Sequence, residues 1–181
     1  MDANQLVRTS RFLSKHLRHA PAKIGLTLQP GGWVPVDDLL AACQRAGVRL
    51  TRELLAEVVA TNDKQRFAFD DTGERIRANQ GHSVEVDLQL EPATPPAVLY
   101  HGTAESEVAA ILDKGVLKMS RHHVHLSPDV PTAIKVGRRH GKPVVLQVDA
   151  AAMHAAGLPF YCSANGVWLV DEVPPQYLRL A

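Results

Sequence analysis

Three prolines within a single short stretch, Pro92, Pro95 and Pro96, interrupt the middle of the chain and constrain everything on either side. Proline has no backbone N–H and a fixed φ, so neither a helix interior nor a central strand can run through Glu91-Pro92-Ala93-Thr94-Pro95-Pro96. Such a segment is stiff and extended, as a short interdomain spacer is. A chain of 181 residues can bury one large core or two small ones. The prolines select two lobes, residues 1–92 and 93–181, and the expected class is α+β.

The first lobe opens on an amphipathic helix over Gln5 to Arg18, with Leu6, Phe12, Leu13 and Leu17 recurring at helical spacing and Arg8, Arg11, Lys15 and Arg18 on the remainder. His19-Ala20-Pro21 ends it, because the residue before a proline is pushed out of the α region. Pro30-Gly31-Gly32 is a turn, Trp33-Val34-Pro35-Val36 a short extended piece, and Asp37 is expected to cap a helix that runs to Gly47. Thr51 caps the next helix, which Asn62-Asp63 breaks. Arg66 to Asp70 and Arg75 to Gln80 read as two strands joined by the hairpin turn Asp71-Thr72-Gly73-Glu74. Helix, short strand, two helices and a hairpin is the order of a winged helix. A further alternating strand is expected to start at Val84 and run into the prolines.

The second lobe carries an apolar strand at Val98-Leu99-Tyr100, a helix from Ser106 to Lys114 closed by Gly115, and a histidine-rich stretch from Met119 to Ser127. Pro131 opens a helix, Val144 to Val148 is a core strand, Asp149 caps a short helix ending at Gly157, and Tyr161 to Val170 supplies more strand.

Net charge is +1, from 20 Lys+Arg against 19 Asp+Glu, so no bulk attraction to nucleic acid or membrane is expected and any such binding must be local. Cys43 and Cys162 lie far apart with no CxxC, which suits a reducing cytoplasm. Met1-Asp2-Ala3-Asn4-Gln5 lacks a signal-like apolar region, and no apolar run approaches the roughly 18 residues of a membrane helix. A soluble, cytoplasmic monomer is expected; no heptads are present.

His123 and His125 stand two apart and share one face of an extended segment. Their partners are a metal, core hydrogen bonds, or the hydroxyls and phosphates of a nucleotide. No HExxH, paired CxxC or acidic cluster accompanies His101, His122, His123, His125 and His140, so no metal is expected. His101-Gly102-Thr103, between a strand and a helix, suits a phosphate or ribose, with Gly102 allowing close approach and the histidine donating to a hydroxyl. Arg138-Arg139-His140-Gly141 ends a helix within reach of a pyrophosphate. In the first lobe Arg18, His19, Lys64, Arg66 and Arg77 form a basic set; guanidinium groups bind phosphate by forked hydrogen bonds. Arg77-Ala78-Asn79-Gln80-Gly81-His82-Ser83 combines a guanidinium, amides, a glycine and a hydroxyl, as a polyanion or sugar contact needs. Walker A and GxGxxG patterns are both missing, and so is a nucleophilic cysteine or a Ser/His/Asp set.

Six motifs stand in the order found in the RNA 2'-phosphotransferase (KptA) family, which the chain therefore resembles: Leu17-Arg18-His19-Ala20-Pro21, Asn62-Asp63-Lys64-Gln65-Arg66-Phe67, Arg77 to Ser83, Tyr100-His101-Gly102-Thr103, Ser120 to Ser127, and Asn165-Gly166-Val167-Trp168-Leu169. The resemblance implies an N-terminal winged-helix RNA lobe and a C-terminal NAD lobe similar to ADP-ribosyltransferases. It implies removal of an internal 2'-phosphate, of the tRNA splice-junction type, with NAD as co-substrate. The phosphate attacks the nicotinamide ribose, nicotinamide leaves, and the neighbouring ribose hydroxyl then attacks phosphorus, giving 2'-hydroxyl RNA and ADP-ribose 1'',2''-cyclic phosphate. Carried over residue by residue, the catalytic set is Arg18, His19, Arg66 and Arg121; Lys64, Arg77, Gln80, His82 and Ser83 contact RNA; and His101, Gly102, Thr103, His125, Ser127 and Arg139 hold NAD. The Val167 region stands where many ADP-ribosyltransferases carry a glutamate. Two other readings share these residues: an ADP-ribosyltransferase acting on a nucleic-acid terminal phosphate or a protein, and a non-catalytic winged-helix nucleic-acid-binding protein.

Overall fold

The computed structural model describes residues 2–62 and 64–181. Met1 and Asp63, parts of the N-terminal and Asn62-Asp63 readings, lie outside the described residues. The chain divides into two compact units, Met1–Gln89 and Leu90–Ala181.

The first unit begins with helix α1, Ala3–Arg18, whose N-cap Asp2 accepts from the Asn4 amide at 3.1 Å. Leu13 and Leu17 lose all exposure, and Leu6 and Phe12 pack beside them. The predicted stop holds, because the His19 amide bonds back to the Lys15 carbonyl and Pro21 starts a single 3-10 turn. Strand β1 is Val34–Pro35, and α2, Val36–Arg45, follows directly. Asp37 does not cap it. Pro35 is the N-cap and makes no side-chain cap bond, while Asp37 lies inside the first turn and accepts from Arg52 Nη2 at 2.9 Å. A carboxylate there still complements the positive end of the helix dipole.

Thr51 caps α3, Arg52–Thr61, as predicted, its hydroxyl accepting from the Leu54 amide at 3.2 Å. Strands β2, Phe67–Phe69, and β3, Arg75–Ala78, form the hairpin, with Phe67 opposite Ala78. Asp70 holds the turn by accepting from the Thr72 hydroxyl, the Glu74 and Arg75 amides and the Arg75 guanidinium. That guanidinium, first among these partners, keeps the Asp70 carboxyl down at about 2. The sheet order is β1-β3-β2. No strand follows at Val84: of the alternating residues only Leu88 is buried, Gln89 adopts φ 54°, and the Asp87 carbonyl accepts from Gly31 instead of from a neighbouring strand.

The second unit is built on β4, Val98–Ala104, which pairs antiparallel along its whole length with β7, Pro143–Asp149. Between them in sequence lie a 3-10 turn at Glu105–Glu107, α4 at Val108–Lys114, β5 at Val116–Leu117, β6 at Val124–Leu126 and α5 at Val130–Gly137. After β7 come α6, Ala150–Ala155, capped by Asp149 as expected, then β8, Tyr161–Cys162, β9, Trp168–Val170, β10, Glu172–Val173, and β11, Leu178–Leu180. These make three small antiparallel sheets, β11-β7-β4, β6-β9-β8 and β10-β5. The fold is thus mixed α+β with several short antiparallel sheets. The strand expected within Tyr161 to Val170 comes as two short pieces around a turn, where the Ser163 hydroxyl bonds to Asn165 and accepts from the Val167 amide at 3.1 Å. The core gathers Leu99, Leu126, Val148, Met153, Phe160 and Val173.

Candidate functional site

In the first unit the end of α1 is tied to the loop after β3. The amides of Ser83 and Val84 donate to the Arg18 carbonyl at 2.9 and 3.4 Å, occupying an acceptor that the helix leaves over at its terminus. Gly81 sits at φ +88°, and a β-carbon there would stand 3.6 Å from Nε, Cζ and Nη1 of Arg18, so the guanidinium lies flat against the glycine. His19 Nδ1 and Ser83 Oγ are hydrogen-bonded at 2.8 Å. Segments 64 residues apart thereby place a guanidinium, an imidazole and a hydroxyl together.

Buried Asn79 extends this arrangement to the other basic residues. Its amide N–H donates to the Arg66 carbonyl at 2.9 Å and its side-chain NH2 to the Gln65 carbonyl at 2.6 Å, which fixes how the chain enters β2. Lys64 is exposed; Arg66 and Gln80 are half-buried. Arg77 lies over the Trp33 ring, 4.5 Å from its centroid, and donates to the Gly31 carbonyl at 3.3 Å. Burial lowers its pKa. His82 is only 1% exposed and packs its ring against Gly32.

In the second unit a backbone bridge between Tyr100 and Ser127 joins the β4 sheet to the β6 sheet, with N–H···O distances of 2.9 and 2.8 Å. One residue along, His101 Nδ1 lies 3.2 Å from the His125 carbonyl. A carbonyl can only accept, so Nδ1 carries the proton and the neutral ring offers a lone pair at Nε2. Burial pushes the His101 pKa down, and the nearby His140 charge adds to that.

Gly102 makes room for a helix. Its missing side chain is the seat of α5, since a β-carbon there would meet the Ala133 carbonyl oxygen and stand 2.6 Å from its carbon. Gly137 returns the favour, with a β-carbon position 2.7 Å from the Thr103 oxygen. Helix α5 thus lies backbone to backbone on β4, on the side away from His101, because neighbouring strand residues point to opposite faces. Thr103 is itself 6% exposed.

Along the histidine-rich stretch Val124 and Leu126 are buried while His123, His125 and Ser127 are half-buried, so the alternation read from the sequence holds although only 124–126 is strand. His123 packs against the Tyr161 ring at 5.7 Å, and burial lowers its pKa despite the Asp171 charge. Arg121 is exposed in the turn before β6, its amide bonded to the Lys118 carbonyl; Arg139 is exposed just beyond α5. Among the described residues no group of three or more His, Cys, Asp or Glu is placed to hold a metal ion, and no helix is long and apolar enough to cross a membrane.

Sequence reasoning missed three parts of these clusters. Trp33 as the platform for Arg77, and the His125 carbonyl as the partner of His101, follow from strand packing that no local pattern reports. Asn79 was visible only as one amide in a polar run.

Residues 4–172 match the family described as RNA 2'-phosphotransferase, Tpt1/KptA. A protein of Trichormus variabilis named "Probable RNA 2'-phosphotransferase" is 61% identical over 180 residues, 99% of each chain. Relatives bearing the same name in Nostoc punctiforme and Herpetosiphon aurantiacus are 61% and 55% identical, again over 99% of both chains.

Proposed function

We propose, from the premise that this chain belongs to the RNA 2'-phosphotransferase, Tpt1/KptA, family and is an enzyme of that activity, that its first unit is a winged-helix lobe holding the RNA 2'-phosphate and its second an ADP-ribosyltransferase-like lobe holding NAD. The observation that carries the first assignment is the joining of Arg18, His19, Gly81 and Ser83 at the end of α1. Arg18 and Arg66 bind the phosphate oxygens by charge-assisted hydrogen bonds, with Lys64 assisting and Arg77 and Gln80 contacting neighbouring nucleotide groups. His19, oriented by Ser83, donates to the phosphate or to the oxygen that leaves it.

The residues of the second unit fit a nicotinamide dinucleotide. His101 is a neutral acceptor suited to a ribose hydroxyl, with His125, Ser127 and Gly102 beside it and Arg139 available to a pyrophosphate. When bound, NAD supplies an electrophilic anomeric carbon and nicotinamide as leaving group. Neither 100–103 nor 121–127 contains a carboxylate. That suits a phosphate dianion as nucleophile, which needs positioning and no general base. Arg121 then stabilises the charge that builds on phosphorus and the departing oxygen as the RNA is released.

The test is incubation of the protein with a 2'-phosphorylated RNA oligonucleotide, with and without NAD, the products resolved by mass. We expect NAD-dependent loss of the phosphate, free nicotinamide and ADP-ribose cyclic phosphate. An ADP-ribosylated end product with no dephosphorylated RNA would assign the protein to one-step ADP-ribosyl transfer; no nicotinamide release at all would overturn the reading.

A further inference from the structure

From Ala3 to Val36 the sequence contains no aspartate or glutamate, although the chain has 19 acidic residues. That interval includes all of α1. Arg8, Arg11, Lys15 and Arg18 recur at spacings of three, four and three, so they lie within roughly 80° of arc on one side of the helix. Arg8, Arg11 and Lys15 are exposed. Among the described residues none of these three forms an ion pair, and the nearest polar bond is from Arg8 Nε to the Asn4 carbonyl at 3.3 Å. Like charges three and four residues apart destabilise a helix, and no acidic side chain on α1 offsets them.

We infer that this face of α1 is a rail for the RNA backbone next to the nucleotide that bears the 2'-phosphate. The inference rests on the functional reading above, and two observations give it direction. The stripe is continuous with Arg18, the residue at the helix end where that phosphate is held. Its length from Arg8 to Arg18, about 15 Å at the helical rise, spans two or three nucleotides of a single strand. The spacing between successive cations, about 4.5 to 6 Å along the axis, lets each meet its own phosphate. Such contacts position RNA without reading its bases, so the preference they confer is for chain length and not for sequence.

The experiment compares the full chain with the triple variant Arg8→Gln, Arg11→Gln, Lys15→Gln. Binding of an eight-nucleotide RNA carrying one internal 2'-phosphate is followed by fluorescence anisotropy between 50 and 200 mM KCl. The variant is expected to bind this RNA roughly 10- to 30-fold more weakly at 100 mM salt, with the slope of log K against log salt shallower by about two. Its affinity for a dinucleotide carrying the same phosphate should change less than threefold, which also shows that the variant is folded. Arg11→Glu should weaken the longer RNA further than Arg11→Gln. An unchanged salt slope, or an equal loss on the dinucleotide, would overturn the inference. So would loss of binding to vesicles of one-third phosphatidylserine with RNA binding unmoved, which would make the stripe a membrane contact. If the wild type bound RNA but released no nicotinamide from NAD, the functional reading would fail while the slope still judged the rail.

Discussion

Gly102→Ala is the perturbation whose effect can be worked most directly from the structure. The new β-carbon would lie 2.6 Å from the Ala133 carbonyl carbon and nearer still to its oxygen. Carbon contacts settle at about 3.5–4.0 Å, so α5 must retreat by about 1 Å or more, or β4 must bend away from β7. Overpacking ordinarily costs about 1–3 kcal/mol because side chains can turn aside; here the obstacle is helix backbone on one side and a seven-residue paired strand on the other, so the upper end, about 3 kcal/mol, is expected. Gly73→Ala is the control. Nothing stands within 4 Å of a β-carbon there, and the only cost is a left-handed φ of +72°, about 1–2 kcal/mol. Each unit holds one of the two tryptophans, Trp33 and Trp168, so a Trp33→Phe background makes indole fluorescence report the second unit alone. In urea the Gly102→Ala midpoint should fall by about 1–3 M, taking an m-value of about 1–3 kcal/mol/M. Gly73→Ala, in the first unit, should leave that transition in place. A Gly102→Ala protein within about 1 kcal/mol of its parent would refute the backbone-contact argument.

Two further outcomes are expected. Ser83→Ala removes one hydrogen-bond partner of His19 without touching a core residue; kcat should fall roughly 2- to 12-fold, the worth of one hydrogen bond of about 0.5–1.5 kcal/mol, while the urea midpoint stays unchanged. Burial holds His101 and His123 below their ordinary value of 6.5, so the unfolded chain binds more protons than the folded one once pH drops past that value. Stability attributable to these rings is therefore complete above pH 6.5 and lost as pH falls from there through their lower folded values. The double variant His101→Gln, His123→Gln should lose less stability than wild type between pH 7.5 and 5.5, measured by urea midpoints; an equal loss would show that other groups dominate.

The caps show which parts of the fold are local. Thr51, Asp129 and Asp149 each accept from an amide three residues on, a relation contained in a few consecutive residues, and Thr51 and Asp149 were read correctly from them. Asp37 failed because Pro35, with its fixed φ, starts the helix two residues sooner. Val84 to Gln89 alternates like a strand, but alternation needs a neighbouring strand to pair with, and Asp87 found Gly31 instead. The two- and three-residue strands β5, β10 and β11 are too short to carry any period. At the candidate site the residue types were legible and their partners were not. Gly102 stood out as a glycine with a purpose, yet nothing in the sequence says that helix α5 packs against it. The tautomer of His101 depends on a main-chain carbonyl, which leaves no mark in the sequence at all.

The placement of Pro35 in β1 reaches beyond the helix it starts. β1 is one of the two outer strands of the β1-β3-β2 sheet and is two residues long. A proline there has no N–H to offer a visiting strand, and β2 on the other margin is only three residues long. Neither margin can template the growth of the sheet from molecule to molecule, so a lobe that carries a hairpin in solvent is protected against assembling through it.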